Sequence, residues 1–332
     1  MTEEVVRLSA TAKGLLDQVN QIFPGEVMVH FGKEKAGYLL HGQATRDAMG
    51  SRFLIEVNDV TAPDYTATHE LMHMLMSMSG FPQIMFNLSF GDEQLDEQLM
   101  IMATSLYNAV AHNIVVAEQR KHDLITPEVS EAFASGIAHT LTPEGDENDD
   151  QAALRLLTLV DALAFYEADE DKKKYLARFR KDYPIAYAGA KNLYDDVTKK
   201  PVDSPFAMRR AIVKMFKGFD AQMKAWGMPE LHSNEFATLS SVFSARQLRM
   251  QVRQVFEVFH SEMKDKKTGE RAYVGLNRQD HQNGFVIAIP EEVTGGSTEW
   301  FKQLYDMTVE ELFDSIAMPY SMRDTEPTAD EA

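Results

Sequence analysis

His69, Glu70 and His73 are the residues of this 332-residue chain whose types and spacing could do chemistry. They form an HExxH pattern inside the uncharged flanks Thr66-Ala67-Thr68 and Met74-Leu75. On a helix, side chains four residues apart share a face and lie about 6 Å apart along the axis, so two imidazoles could reach one metal ion. Glu70 sits about 100° round the helix from His69, poorly placed as a ligand but well placed to reach water at the metal. Two neutral nitrogens, a carboxylate to take a proton and a metal that brings the pKa of water down to about 7 make a hydrolytic zinc site. The plainer reading is two polar histidines on a partly buried helix with a solvated Glu70. Against it stand the uncharged flanks and the following Met76 and Met78, which suit a buried helix.

Such a helix has to be positioned by its neighbours. Residues 5–22 carry a helical apolar period that ends before Pro24-Gly25. Residues 27–31 and 38–41 read as strands joined by a turn over 32–37, and 52–57 reads as a third strand. His30 and His41 fall in these strands and read as packing residues. The HExxH helix should stop at Gly80-Phe81-Pro82, followed by a loop over 83–91. A second long helix is expected over 92–121, acidic at its start and basic at its end, as the helix dipole favours. Its apolar middle implies burial beside the HExxH helix, from where it should supply a third ligand. His112, alone in an apolar stretch and one turn after Asn108, is read as that ligand, with Asn108 able to orient it. Glu118 is an alternative, and His122 falls at the exposed end of the helix.

The HExxH run, with the strand before it, resembles the active-site helix of the zincin metallopeptidases. The resemblance covers residues 66–75 and points to the superfamily rather than to one family. It implies an α+β, zincin-like fold: a small N-terminal β-sheet, the HExxH active-site helix and a mainly α-helical remainder. It further implies a zinc-dependent hydrolase, a peptidase, with Zn²⁺ on His69, His73 and a third residue, and with Glu70 activating a metal-bound water. In the gluzincins the third ligand is a Glu on the following helix with a second carboxylate four residues on, which brings in Glu93 and Glu97; the residues around them do not otherwise match. Tyr107 and His122 are candidates for stabilising an oxyanion, and the strand before the helix for pairing with an extended peptide backbone. The competing readings are a zincin-like binding or regulatory protein with a structural or vestigial metal site, and an all-helical assembly protein with an accidental motif. An intact Glu70 favours catalysis.

The net charge of −18, from 33 basic and 51 acidic residues, argues against nucleic acid and against an anionic membrane surface as partners. A peptide or protein substrate is the partner expected. With no cysteine there is neither disulfide nor thiolate zinc site, so any ligands are His, Asp or Glu. The N-terminus lacks the features of a secretory signal, and no uncharged apolar run reaches the roughly 18 residues of a membrane span, so a cytoplasmic protein is expected. The 19 methionines read as core filler.

Beyond the site, residues 127–141 should be helical, and the acidic connection 142–150 is the candidate boundary between a catalytic region, 1–142, and a mainly helical region, 150–322, the two together or apart. Those acids lack EF-hand spacing and read as a solvated loop rather than a calcium site. Helices are expected over 152–166, 170–181, 186–198, 234–263 and 300–316, a β-hairpin within 273–289 that could return to the N-terminal sheet, and a disordered tail over 323–332. Residues 206–226 alternate basic with apolar residues, the most basic element of an acidic chain; an acidic peptide could meet it, though a contact within the chain is the preferred reading.

Overall fold

Ser9 opens the first helix, its Oγ accepting from Ala12 N at 3.2 Å, and α1 runs Ala10–Ile22. Asn20, on its last turn, clamps the next strand: its amide donates to Val27 O and accepts from Val27 N. That strand, β1 (Glu26–Glu34), is followed by β2 (Ala44–Met49), β3 (Arg52–Asp59) and the HExxH helix α2 (Pro63–Met78). The computed structural model describes residues 6–145, 149–289 and 297–323.

The N-terminal sheet has the order β1-β3-β2, with β1 parallel and β2 antiparallel to β3. Ile55 and Val57 alternate inward from β3 and pack with Val19 of α1 and Ala67, Leu71 and Met74 of α2. Because β3 is central, the strand before the helix has no free edge for a peptide, contrary to expectation; β1 and β2 are the edges. The strand expected over 38–41 is a loop. Its second member is instead β2, which is exposed along almost its whole length and so shows no hydrophobic alternation to find it by. The loop is pinned at several points: Asp59 accepts from Ala36 N and Thr61 N, and Leu39 N donates to Ala132 O.

α2 starts with Pro63 at its first position and ends before Gly80, whose φ of 76° takes the left-handed conformation that glycine allows. The expected loop 83–91 contains two short strands, β4 (Ile84–Met85) and β5 (Leu88–Ser89), which find their partners far along the chain. Then come α3 (Glu93–Lys121), α4 (Pro127–Thr140), α5 (Ala152–Tyr166), α6 (Lys172–Asp182), α7 (Pro184–Val197) and α8 (Pro205–Ala225), all close to the expected positions. By length and composition α3 is apolar enough to cross a membrane, the one such helix among the described residues; 56% of that apolar window is buried in the protein.

The helix expected over 234–263 does not form. The chain passes instead through α9 (Ser233–Phe236), β6 (Thr238–Leu239), β7 (Ser241–Phe243), α10 (Ala245–Leu248), α11 (Val252–Val255) and β8 (Phe256–Asp265). The β-branched and aromatic residues at the start of β8, Phe256, Val258 and Phe259, suit a sheet with available partners. The hairpin β9 (Arg271–Asn277) and β10 (Asn283–Ile287) forms as expected, but it extends the sheet β10-β9-β8-β5 and does not join the N-terminal one. The last helix is two, α12 (Ser297–Asp306) and α13 (Val309–Ser315), because Thr308 and Glu311 form a capping box between them. A short strand, β11 (Tyr320–Met322), pairs with β7. Of the acidic connection, residues 146–148 lie outside the described residues, as do 324–332 of the tail.

The chain forms two compact units. One comprises Met1–Ser79 and Ala109–Asp195, the other Gly80–Asn108 and Asp196–Ala332. The architecture is mixed α+β with a small N-terminal sheet. The divisions fall between Ser79 and Gly80, within α3 and near residue 196, not at the compositional break over 142–150, because α4 to α6 and most of α7 fold with the N-terminal sheet.

Candidate metal centre

The centre lies entirely within the first unit. Helix α2 presents His69 and His73 from successive turns, and α3 brings His112 against them. His73 Nε2 lies 3.2 Å from His69 Nε2 and 3.3 Å from His112 Nε2. Three nitrogens bound at 2.0–2.1 Å around a tetrahedral ion would stand about 3.3 Å apart, so both separations fit a shared ion. His69 and His112 are buried and His73 is partly buried.

Each ring is oriented from behind. Asp161, on α5, accepts from His112 Nδ1 at 2.5 Å, fixing the tautomer whose Nε2 carries the lone pair. Gln119, one of the buried residues of α3, donates from Nε2 to Tyr65 O and Thr68 Oγ1, both at 2.9 Å. Its Oε1 and His69 Nδ1 are both buried and have no hydrogen-bond partner among the described residues. With its proton on Nδ1, His112 has Nε2 as an acceptor, turned toward His73 Nε2. A cation between the rings would take the Nε2 lone pairs that converge there.

The protonation states agree with this. Burial, then the neighbouring rings, holds His69 well below the usual histidine range. Burial does the same to His73, with His112 adding to it. Burial lowers His112 too, although Asp161 opposes it. For Asp161, burial would raise the pKa, but His112 and His41 together hold it far below the carboxylate range. The centre is therefore neutral imidazole backed by ionised carboxylate, the state a metal requires.

A fourth imidazole, His41, belongs to this cluster, although its sequence position reads as strand packing. The ligand atoms of His41, His69 and His112 lie within 4.8 Å of one another, so that trio could also hold an ion. His41 is the less suited member. Its Nδ1 is 2.9 Å from Asp161 Oδ2 and its Nε2 is 3.1 Å from Tyr65 Oη, so both nitrogens are engaged, and its ring stacks on His69 at 4.7 Å. The Nε2 of His73, by contrast, meets the Nε2 atoms of His69 and His112.

Glu70 is buried on the adjoining face of α2, and its Oε2 pairs with Arg46 Nε at 3.0 Å. Burial raises its pKa and Arg46 opposes the rise.

The remaining sequence candidates fall elsewhere. Glu93 and Glu97 are exposed on the first turns of α3 and belong to the second unit. Glu118 pairs with Lys121 and His122. Tyr107, in the second unit, donates to Pro82 O, and Asp161 rather than Asn108 holds His112. His30 lies on β1 near Glu56. Sequence reasoning missed Asp161, His41, Gln119 and Arg46; only Asp161 left a signal, as the one acid within the apolar stretch 152–166.

No family model, no curated protein and no solved structure matches this chain.

Proposed function

We propose that the chain is a zincin-like metallopeptidase that holds Zn²⁺ through His69, His73 and His112 and uses Glu70 as its proton-transfer group. The convergence of three Nε2 atoms beside a buried carboxylate supports this reading more than any other observation. An all-imidazole set with no cysteine in the chain suits zinc among the divalent metals. The ion supplies a Lewis acid that acidifies water and polarises a carbonyl oxygen. Glu70 takes a proton from the attacking water, whose oxygen bonds to the substrate carbonyl carbon. As the C–N bond breaks, Glu70 returns that proton to the departing amine. Burial makes Glu70 the stronger base, and the Arg46 guanidinium opposes that rise. Asp161 keeps the lone pair of His112 turned inward throughout.

The Arg46–Glu70 ion pair also favours a second reading, a binding or regulatory protein with a structural ion, because it occupies the base. Glu70→Gln distinguishes the two. On the peptidase reading the variant keeps its metal and loses hydrolysis of a mixed fluorogenic peptide pool by about 10²-fold or more. Metal-loaded parent protein that cleaves no peptide favours the second reading, and unchanged cleavage by Glu70→Gln overturns the first.

A further inference from the structure

The basic helix α8 lines a cavity of about 300 Å³ in the second unit, closed by β7 and by the turn between β9 and β10. Arg209, Arg210, Lys214 and Lys217 line it, with two carboxylates among their partners, Asp280 on Arg209 and Asp196 near Lys214. That is an unusual excess of cations in a chain with a net charge of −18.

Arg209 is the informative member. Its side chain is only 8% exposed. Nη1 pairs with Asp280 Oδ2, while the other oxygen of Asp280 accepts from Gln282 N at 3.0 Å. Nε and Nη2 of Arg209 are buried and have no hydrogen-bond partner among the described residues. These two nitrogens form one edge of the guanidinium fork, the edge that takes a pair of anionic oxygens side by side. Leaving such donors buried and unpaired is costly, and it is explained if a ligand completes them. Ser241 also lines the cavity, with its Oγ buried beside Gly284. Lys217 is exposed at the cavity and Lys214 is half-buried there, its Nζ near Asp196. Phe206 and Phe243 supply apolar walls.

We infer that this cavity binds a small phosphorylated molecule, its phosphoryl oxygens on the Nε–Nη2 edge of Arg209 and its apolar body against Phe206 and Phe243. A phosphoryl dianion suits a fork edge with further cations beside it better than a carboxylate does, since it offers a second charge and a third oxygen. The site is separate from the histidine cluster in its residues and in its chemistry, and it does not depend on the metallopeptidase reading.

The test is calorimetric titration of the full-length chain with three probes: phenyl phosphate, inorganic phosphate and benzoate. Phenyl phosphate should bind saturably and more tightly than either of the others. Lys217→Glu, at an exposed position that leaves the fold alone, should weaken it roughly tenfold, and Arg209→Gln by at least as much. Thermal unfolding of both variants without ligand separates loss of binding from loss of fold. The inference is overturned if no probe binds the parent, if benzoate binds best, or if Lys217→Glu binds phenyl phosphate as the parent does. Tighter binding of inorganic phosphate than of phenyl phosphate overturns the assignment of the apolar wall.

Discussion

Asp161 holds two imidazoles with one carboxylate, His112 through Oδ1 and His41 through Oδ2. Its loss should therefore be felt at the metal without removing any ligand. Asp161→Asn is expected to weaken metal binding by about 10- to 100-fold in a chelator competition, because the amide no longer selects the tautomer of His112. An unchanged affinity would mean that the carboxylate does not orient the ligand. At this scale the sequence was partly legible. His69, Glu70 and His73 could be read because a fixed local spacing on one helix carries their geometry. His112 could be read because an imidazole in so apolar a helix needs a partner. His41 and Arg46 were not legible, since a loop and an exposed edge strand bring them to the site through contacts that no local period records.

The elements that aim these residues depend on a few close approaches. The loop carrying His41 lies against α4 so tightly that a Cβ on Gly136 would stand 1.8 Å from Leu39 O. That atom is backbone and cannot swing aside. Gly136→Ala should cost about 1–3 kcal/mol in urea unfolding and displace the His41 loop, despite the better helix propensity of alanine. A variant as stable as the parent would show that the loop yields freely. Helices α3 to α8 were legible from their apolar period and end signals, and β1 and β3 from their β-branched runs. The region after residue 233 was not. There a similar density of apolar residues becomes short helices and strands whose partners, β5 and β9 among them, lie far away in sequence, and only those partners decide between helix and strand.

For the whole molecule, the histidine cluster makes stability depend on pH. In the unfolded chain these rings titrate near the ordinary value of about 6.5; in the folded chain burial holds them lower. Below about 6.5 the unfolded state therefore binds more protons, so stability falls as pH falls. Asp161, also held low when folded, adds a further loss as pH falls through the carboxylate range. Chelator-treated protein should show a lower urea midpoint at pH 5.5 than at pH 7.5, and His69→Gln a shallower dependence; equal midpoints for the parent would contradict the neutral, buried cluster. Neither the division into two units nor the cationic cavity was visible in composition. Both arise from how distant segments fold together, although the basic period of α8 marked one wall of that cavity.

The claim on which the proposed chemistry rests is that three imidazoles share one ion. The most direct measurement is elemental analysis of the full-length chain and of His69→Ala, His112→Ala and Glu93→Ala after incubation with zinc and removal of the excess. We predict near-stoichiometric zinc in the parent and in Glu93→Ala, and loss of it in both histidine variants. A parent chain that retains no metal, or a His112→Ala variant that retains it in full, would contradict the account.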